Sequence, residues 1–498
     1  MSIAILTLIG LAASSATYLF LSWRMHKKST RLDDHLPLSI DNRQARVQSS
    51  NEFSAATVAT TISLATVILA FAELAPYMGT WLLWTVVTTG LGIYVVRLAA
   101  PVIWRRLAES GQFRLTLHGF LGTSYQSSAL GKGAALCTSF GFIGALAVEL
   151  TVGGRFLAGL VPIIPGWAAV LVISAIGVTY TMLGGFRAVV VTDRIQMAAI
   201  WGSIAALAAL FIWQLEVAGG PSYITRTMPK AIYDFSGRDG LVAFLVGIFI
   251  INVPTFLSDM SIWQRIAGSK DEATVRRGLT SSVLSATASW TALVALACFL
   301  VILVSAKDGE NPLLTYLGRL DVAGNPVVAI LFVVTVAGLY AASLSTASTQ
   351  LIAAGHTLHM DLLRHGRQKA ELSSSSSELR VSRIILLLSA GGSVLIVEVL
   401  QHAGFAISDL VFAVYGAQLG MVPAVTAALF MDKSRLRLLG PWATAAVLSG
   451  FVAGWTCAGL GKWMGSDNLV FLSPAASLAI SSVILSMGWI TSNVAARR

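Results

Sequence analysis

Charge is what this chain has least of. Only 12% of its 498 residues are Asp, Glu, Lys or Arg, about half the share of a soluble domain. A water-soluble fold of this length is thereby excluded. Cysteine is almost absent. Cys137, Cys298 and Cys457 each sit in an apolar run, so neither a disulfide framework nor a thiolate metal site is laid out. The seven histidines do not cluster. His356, His359 and His365 meet no ligand spacing and read as solvated or helix-end residues. No Walker sequence and no dinucleotide fingerprint occurs, so nothing points to ATP-driven pumping or a nucleotide cofactor. No nucleophile–base pair is in view either, so an enzyme is not expected.

What is present is apolar length. The chain is 55% hydrophobic, with a mean hydropathy of +0.75. Runs of about 18 residues or more, each able to cross a bilayer as a helix, recur throughout. The expected fold is all-α and polytopic, with thirteen spans at roughly 2–23, 52–72, 77–99, 133–157, 162–183, 188–214, 240–263, 279–305, 327–355, 383–401, 406–430, 438–460 and 469–492. The first run, Ile3 to Trp23, has no basic residue before it and Arg24, Lys27, Lys28 and Arg31 after it. That asymmetry predicts a retained helix rather than a cleaved signal.

Threading the spans from an outside N-terminus puts about 27 of the 34 Lys and Arg residues inside and about 7 outside. Reversal would invert the ratio, so the N-terminus is expected outside and the C-terminus in the cytoplasm, in a cell (inner) membrane. The net charge of +10 therefore concerns the bilayer, not nucleic acid. Four regions are expected: 1–50, an extra helix and inner loop; 51–237 and 238–431, two sets of five helices; and 432–498, two closing helices. Two odd-numbered sets enter the membrane from opposite sides, the arithmetic of an inverted repeat. The run Ser373 to Ser377 reads as a flexible inner linker.

Polar groups inside the spans mark the candidate chemistry. Ser343, Ser345, Thr346, Ser348 and Thr349 lie in seven positions of one apolar run, with Gly338 and alanines beside them. On a helix Ser345, Ser348 and Thr349 share a face. Such a stripe either glues helices together or offers oxygen ligands to a hard cation such as sodium. Span 52–72 carries Thr57, Thr60, Thr61, Ser63 and Thr66; span 240–263 carries Pro254, which predicts a kink. Both are candidates for broken helices. Buried carboxylates are costly in a membrane and suggest function. Asp193 lies at a depth matching Thr349 and completes a cation site with the stripe, or pairs with Arg187 or Arg194. Glu149 contacts solute, takes a proton or pairs with Arg155. Asp259 contacts solute, caps a helix or pairs with Arg265. Gln418 and Tyr415 are further polar handles, while Glu73, Glu398 and Asp409 near the outer ends read as solvated.

Three stretches carry a resemblance: Gly184-Gly-Phe-Arg-Ala-Val-Val-Val-Thr-Asp-Arg-Ile-Gln196, Asp259-Met-Ser-Ile-Trp-Gln-Arg265 and Ala341-Ala-Ser-Leu-Ser-Thr-Ala-Ser-Thr-Gln-Leu351. With the order and number of spans, they resemble the sodium:solute symporter family over nearly the full chain. The resemblance implies a five-plus-five inverted-repeat core and symport of sodium with a small polar organic solute. Its main sodium site maps onto the carbonyls of Ala59, Ile62 and Ala342 and the hydroxyls of Ser345 and Thr346. A second site, present in some members, maps onto Asp193, Ser345, Ser348 and Thr349. Solute would lie near Thr61, Asp259 and Gln418, with Glu149 a further candidate from its depth. One departure is visible. Members often carry a Gly or Pro-Gly turn after the first core helix, where this chain reads Phe71-Ala-Glu-Leu-Ala-Pro76. A proton-coupled carrier and a membrane solute sensor are the alternative readings.

Overall fold

The computed structural model describes residues 2–27, 32–37, 46–108, 115–233, 240–304, 311–364, 376–402 and 407–497. Ser373, Ser374 and Ser375 of the serine run lie outside the described residues. Among the described residues the structure is helical, apart from one bridge between Val47 and Ser269. Of the described residues, eleven segments are long and apolar enough to cross a membrane. This is a multi-pass membrane protein.

Two segments are more than twice as long as a hydrocarbon core is thick. Gly166–Val217 runs for 52 residues, about 78 Å at 1.5 Å per residue, more than twice a hydrocarbon core of about 30 Å. It bends back at Gly185, whose φ of 60° and ψ of −159° are not helical. The expected spans 162–183 and 188–214 are its two halves. Leu64–Leu107 is likewise 44 residues long, and its turn is at Gly79, with φ 53°. Pro76 stays inside the helix Ala70–Met78, so the turn falls three residues after Pro76.

Pro326–Thr357, the hydroxyl helix, is the hub. Every residue from Gly338 to Thr357 is buried. It packs closely on the second half of Gly166–Val217, and Gly338 makes that approach possible: a Cβ there would collide with the Ala199 carbonyl and the Ser203 side chain. Tyr180 reaches across to donate to the Leu344 carbonyl at 2.9 Å, and Ser15 and Tyr340 bond at 2.9 Å. Close packing and interhelical hydrogen bonds hold membrane helices together where lipid offers no hydrophobic gain.

Several polar groups are more sheltered than their sequence positions suggest. His356 is buried against Gln264 at 2.7 Å, and His359 is buried against Glu378 at 2.8 Å, so neither is solvated. His365 lies outside the described residues. Asp409 is buried and pairs with Lys462 at 3.1 Å. These partners come from elements distant in sequence, which local patterning does not reveal.

Candidate ion and solute site

The site begins where the first core helix breaks. Ser50–Thr61 is α-helical, Ile62 (φ −95°, ψ 74°) and Ser63 (φ −75°, ψ 145°) are not, and the chain resumes as a π-helical turn, Leu64–Leu69, running into Ala70–Met78. No proline or glycine causes this. Thr60 donates to the carbonyls of Ala56 and Thr57, each at 3.0 Å, and Thr61 to that of Val58 at 2.8 Å. Hydroxyls that bond back to the ladder compete with it and favour bending. Ser63 then caps the second half, accepting from the Thr66 N–H at 2.9 Å. Among the described residues no backbone N–H is donated to the Ala59 or Ile62 carbonyl. These oxygens are free to take another partner.

The second broken helix follows the expectation from Pro254. Leu241–Asn252 stops before it, Thr255–Ser258 makes one turn, and Asp259 (φ −78°, ψ 110°) interrupts again before Met260–Gly268. Asp259 Oδ1 accepts from the N–H of Ser261 at 2.7 Å and of Ile262 at 3.4 Å. This is the helix-cap alternative realised.

The hydroxyl helix meets Asp193 and, at the first break, the carbonyl of Thr60, where the sequence mapped those of Ala59 and Ile62. Ser345 Oγ donates to Asp193 Oδ1 at 2.7 Å, and Thr346 Oγ1 lies 3.5 Å from the Thr60 carbonyl oxygen, at the first break. Ser348 Oγ donates to the Ser345 carbonyl at 3.0 Å, and Thr349 Oγ1 accepts from Arg265 Nη2 at 3.2 Å. Ala59, Ile62, Ala342, Asp193, Ser345 and Ser348 are fully buried. Asp193 does not pair with Arg187, which instead grips Glu52 at 2.6 and 3.0 Å. Asp193 Oδ2 is buried without a hydrogen-bond partner. A buried orphan carboxylate oxygen among hydroxyls and free carbonyls is a donor set suited to a hard cation.

Two neighbouring chambers adjoin this cluster, with volumes of about 60 and 140 Å³. Thr60, Thr61, Phe256, Asp259 and Tyr415 line both. Of the four residues expected near solute, Thr61 and Asp259 are therefore on the wall. Glu149 and Gln418 are not among the lining residues of either chamber. Gln418 packs against Gly141, its Nε2 3.5 Å from the Val414 carbonyl. The larger chamber also presents three buried polar atoms with no partner: Thr89 Oγ1, Thr255 Oγ1 and Trp290 Nε1.

In the sequence, Arg265 reads only as a partner for Asp259. It is 2% exposed, lines the smaller chamber, and bridges Thr60 Oγ1 at 3.0 Å and Thr349 Oγ1 at 3.2 Å. Its guanidinium thus ties both broken helices to the hydroxyl helix. The signal that could have found it is its lone charge at the end of an apolar run.

The sodium:solute symporter family profile matches residues 51–437. The chain belongs to the sodium:solute symporter family. That places it among membrane transporters, not enzymes. Among its relatives, the sodium/pantothenate symporter of Haemophilus influenzae is 28% identical over 166 residues, 31% of this chain and 34% of that protein. The sodium/pantothenate symporter of Escherichia coli is 27% identical over 207 residues, 38% of this chain and 42% of that protein. The chain thus matches only about a third to two fifths of the length of these curated relatives. A sodium-coupled sialic acid symporter, solved outward-open with substrate, superposes with a TM-score of 0.76 at 17% identity, covering 98% of both chains. Mhp1, solved inward-facing, gives 0.52 at 14% identity, covering 92% of this chain and 94% of Mhp1. At these identities the likeness is one of fold.

Proposed function

We propose that this symporter-family chain couples inward sodium flow to uptake of a small polar organic solute by alternating access. Ser345 bonded to Asp193, with the second Asp193 oxygen unpartnered, carries the reading. One ion would sit among the carbonyls of Ala59, Ile62 and Ala342 and the hydroxyls of Ser345 and Thr346. A second would sit among Asp193, Ser345, Ser348 and Thr349. The division into 1–50, two five-helix repeats at 51–237 and 238–431, and 432–498 is part of the proposal, as is the N-terminus-out orientation.

In the mechanism, sodium draws the first broken helix against the hydroxyl helix by supplying the charge that the bare carbonyls lack. This orders the chamber wall at Thr60 and Thr61, and solute affinity rises with it. By reciprocity, solute raises sodium affinity to the same degree. The helices then rock about the site, and both ligands leave inside.

The first solute to try is pantothenate, which the matched relatives are named for. Its carboxylate suits the Arg265 guanidinium on the smaller chamber's wall. The test is uptake into proteoliposomes under an inward sodium gradient, extended to a metabolite screen. Sodium-dependent uptake, lost in Ser345→Ala with Thr346→Ala, is the expected result. Equal uptake with potassium in place of sodium would refute the coupling.

A further inference from the structure

Glu149 has no task in the mechanism above, yet its burial is costly. It is 1% exposed at the centre of Ser128–Leu160. Among the described residues no lysine, arginine or histidine pairs with it. Arg155, its expected partner, is exposed on the same helix. An ionised carboxylate in this setting costs several kcal/mol unless donors or a cation compensate it.

The donor it bonds belongs to the first break. Ser63 Oγ donates to Oε2. The backbone N–H groups of Leu64 and Ala65, at the start of the second half-helix, face the same carboxylate, as does the Ser343 hydroxyl. Yet Glu149 Oε1 and Ser343 Oγ are buried with no hydrogen-bond partner. The carboxylate is thus partly satisfied, with one buried oxygen and one buried hydroxyl left over. Tyr415, from Ile407–Gln418, is the titratable group that faces it from a neighbouring helix.

We infer that Glu149 is a proton-binding site linked to the unwound segment at Ile62 and Ser63, protonated when that segment loosens and ionised when it is ordered. The inference rests on the sodium-coupled reading. A metal ion fits poorly here. Ser63 spends its proton on Glu149 and accepts from Thr66 N–H, and the two facing N–H groups present positive ends, which repel a cation and favour an anion. A proton needs only one free oxygen, and Oε1 is free. It comes from water and returns to water as the O–H bond forms and breaks.

Sodium ordering the Ile62 carbonyl aligns Ser63, Leu64 and Ala65 on the carboxylate, and its charge adds to theirs. Sodium binding therefore expels the proton. The chain would carry sodium inward as protons move the other way at Glu149, which makes solute uptake depend on pH as well as on sodium.

The test needs no solute. Purified full-length protein in weakly buffered detergent receives sodium chloride, and a pH dye counts protons. A thermal shift, measured in the same samples, reports sodium binding. The wild type is expected to release up to about one proton per chain below neutral pH. Glu149→Gln is expected to release none while keeping its sodium-induced thermal shift. Ser63→Ala, which keeps the carboxylate but removes one donor, is expected to move the release about one pH unit upward. No sodium-induced shift in the wild type would defeat the sodium reading itself. Sodium binding without proton release, or equal release from Glu149→Gln and the wild type, would overturn the assignment of Glu149. So would a sodium stoichiometry that falls in Glu149→Gln with no change in protons.

Discussion

Replacing Glu52 by glutamine tests whether its ion pair with Arg187 acts as a latch. Glu52 lies near the start of the first core helix, and Arg187 just after the Gly185 turn. Their two-pronged pair, at 2.6 and 3.0 Å, is extended by Arg187 Nη1 to the Arg46 carbonyl at 2.7 Å and by the Gln48 N–H to Glu52 Oε2 at 2.9 Å. The Arg187 side chain is 28% exposed and that of Glu52 12%, so the pair is neither a surface bridge, worth about 0–1 kcal/mol, nor a dry one, whose breakage costs about 3–5 kcal/mol. Glutamine keeps one hydrogen bond and loses the charge. A loss of about 1–2 kcal/mol is the reasonable middle, or a 5–30-fold shift in a two-state ratio at about 1.4 kcal/mol per tenfold. If sodium favours the state in which this pair is closed, its apparent affinity falls by the same factor. Sodium-22 binding to purified protein measures it, with Arg187→Lys as the variant that keeps charge and loses the fork. A change below about twofold, with the fold intact by thermal melting, would refute the latch.

Asp193→Asn keeps the shape but removes the charge behind Ser345. It is expected to weaken sodium binding by about tenfold or more, and to lower the slope of sodium dependence from about two ions toward one in the same binding assay. Gly185→Ala is expected to destabilise by roughly 1–3 kcal/mol for its positive φ alone, and more from the clash of Cβ with His35 Nδ1 at 2.5 Å and its carbonyl at 2.7 Å; the melting temperature in detergent reports it. His35 is fully buried with neither ring nitrogen bonded. Burial, then the positive charge of Arg383 and others, lowers its pKa to about 3. The folded state thus stays neutral where the unfolded chain takes up a proton. Stability is full above about pH 6.5 and falls as pH drops from there toward about 3, by up to about 1.4 kcal/mol per pH unit. His35→Asn should flatten that part of the pH–melting curve.

Much of the plan was legible because the bilayer permits few solutions. Apolar length gave the helices, and Lys and Arg placement gave an orientation to propose. The hydroxyl stripe was legible because five such groups in one apolar run need partners, and Ser345 finds Asp193. Pro254 announced the second break, and crowded threonines the first. Contacts that depend on distant helices meeting were not legible. Arg265 reaching Thr60 and Thr349, and Ser63 reaching Glu149, join residues tens to hundreds of positions apart. The same holds for the buried network of His118 with Asp361 at 2.9 Å and Thr138 at 2.8 Å. Periodicity shows that such groups are polar and inside; it does not show whom they meet.

The bridge at Val47 has a mechanical consequence. The Gly268 carbonyl accepts from the N–H of both Arg46 and Val47, and Lys270 N–H donates back to Val47. The tail of one interrupted helix is thereby stitched to the approach of the other. Joined in this way, the pair is expected to swing like one door on a common post, not like two shutters. A covalent link between positions 47 and 269 should leave turnover intact, whereas one between 52 and 187 should stop it.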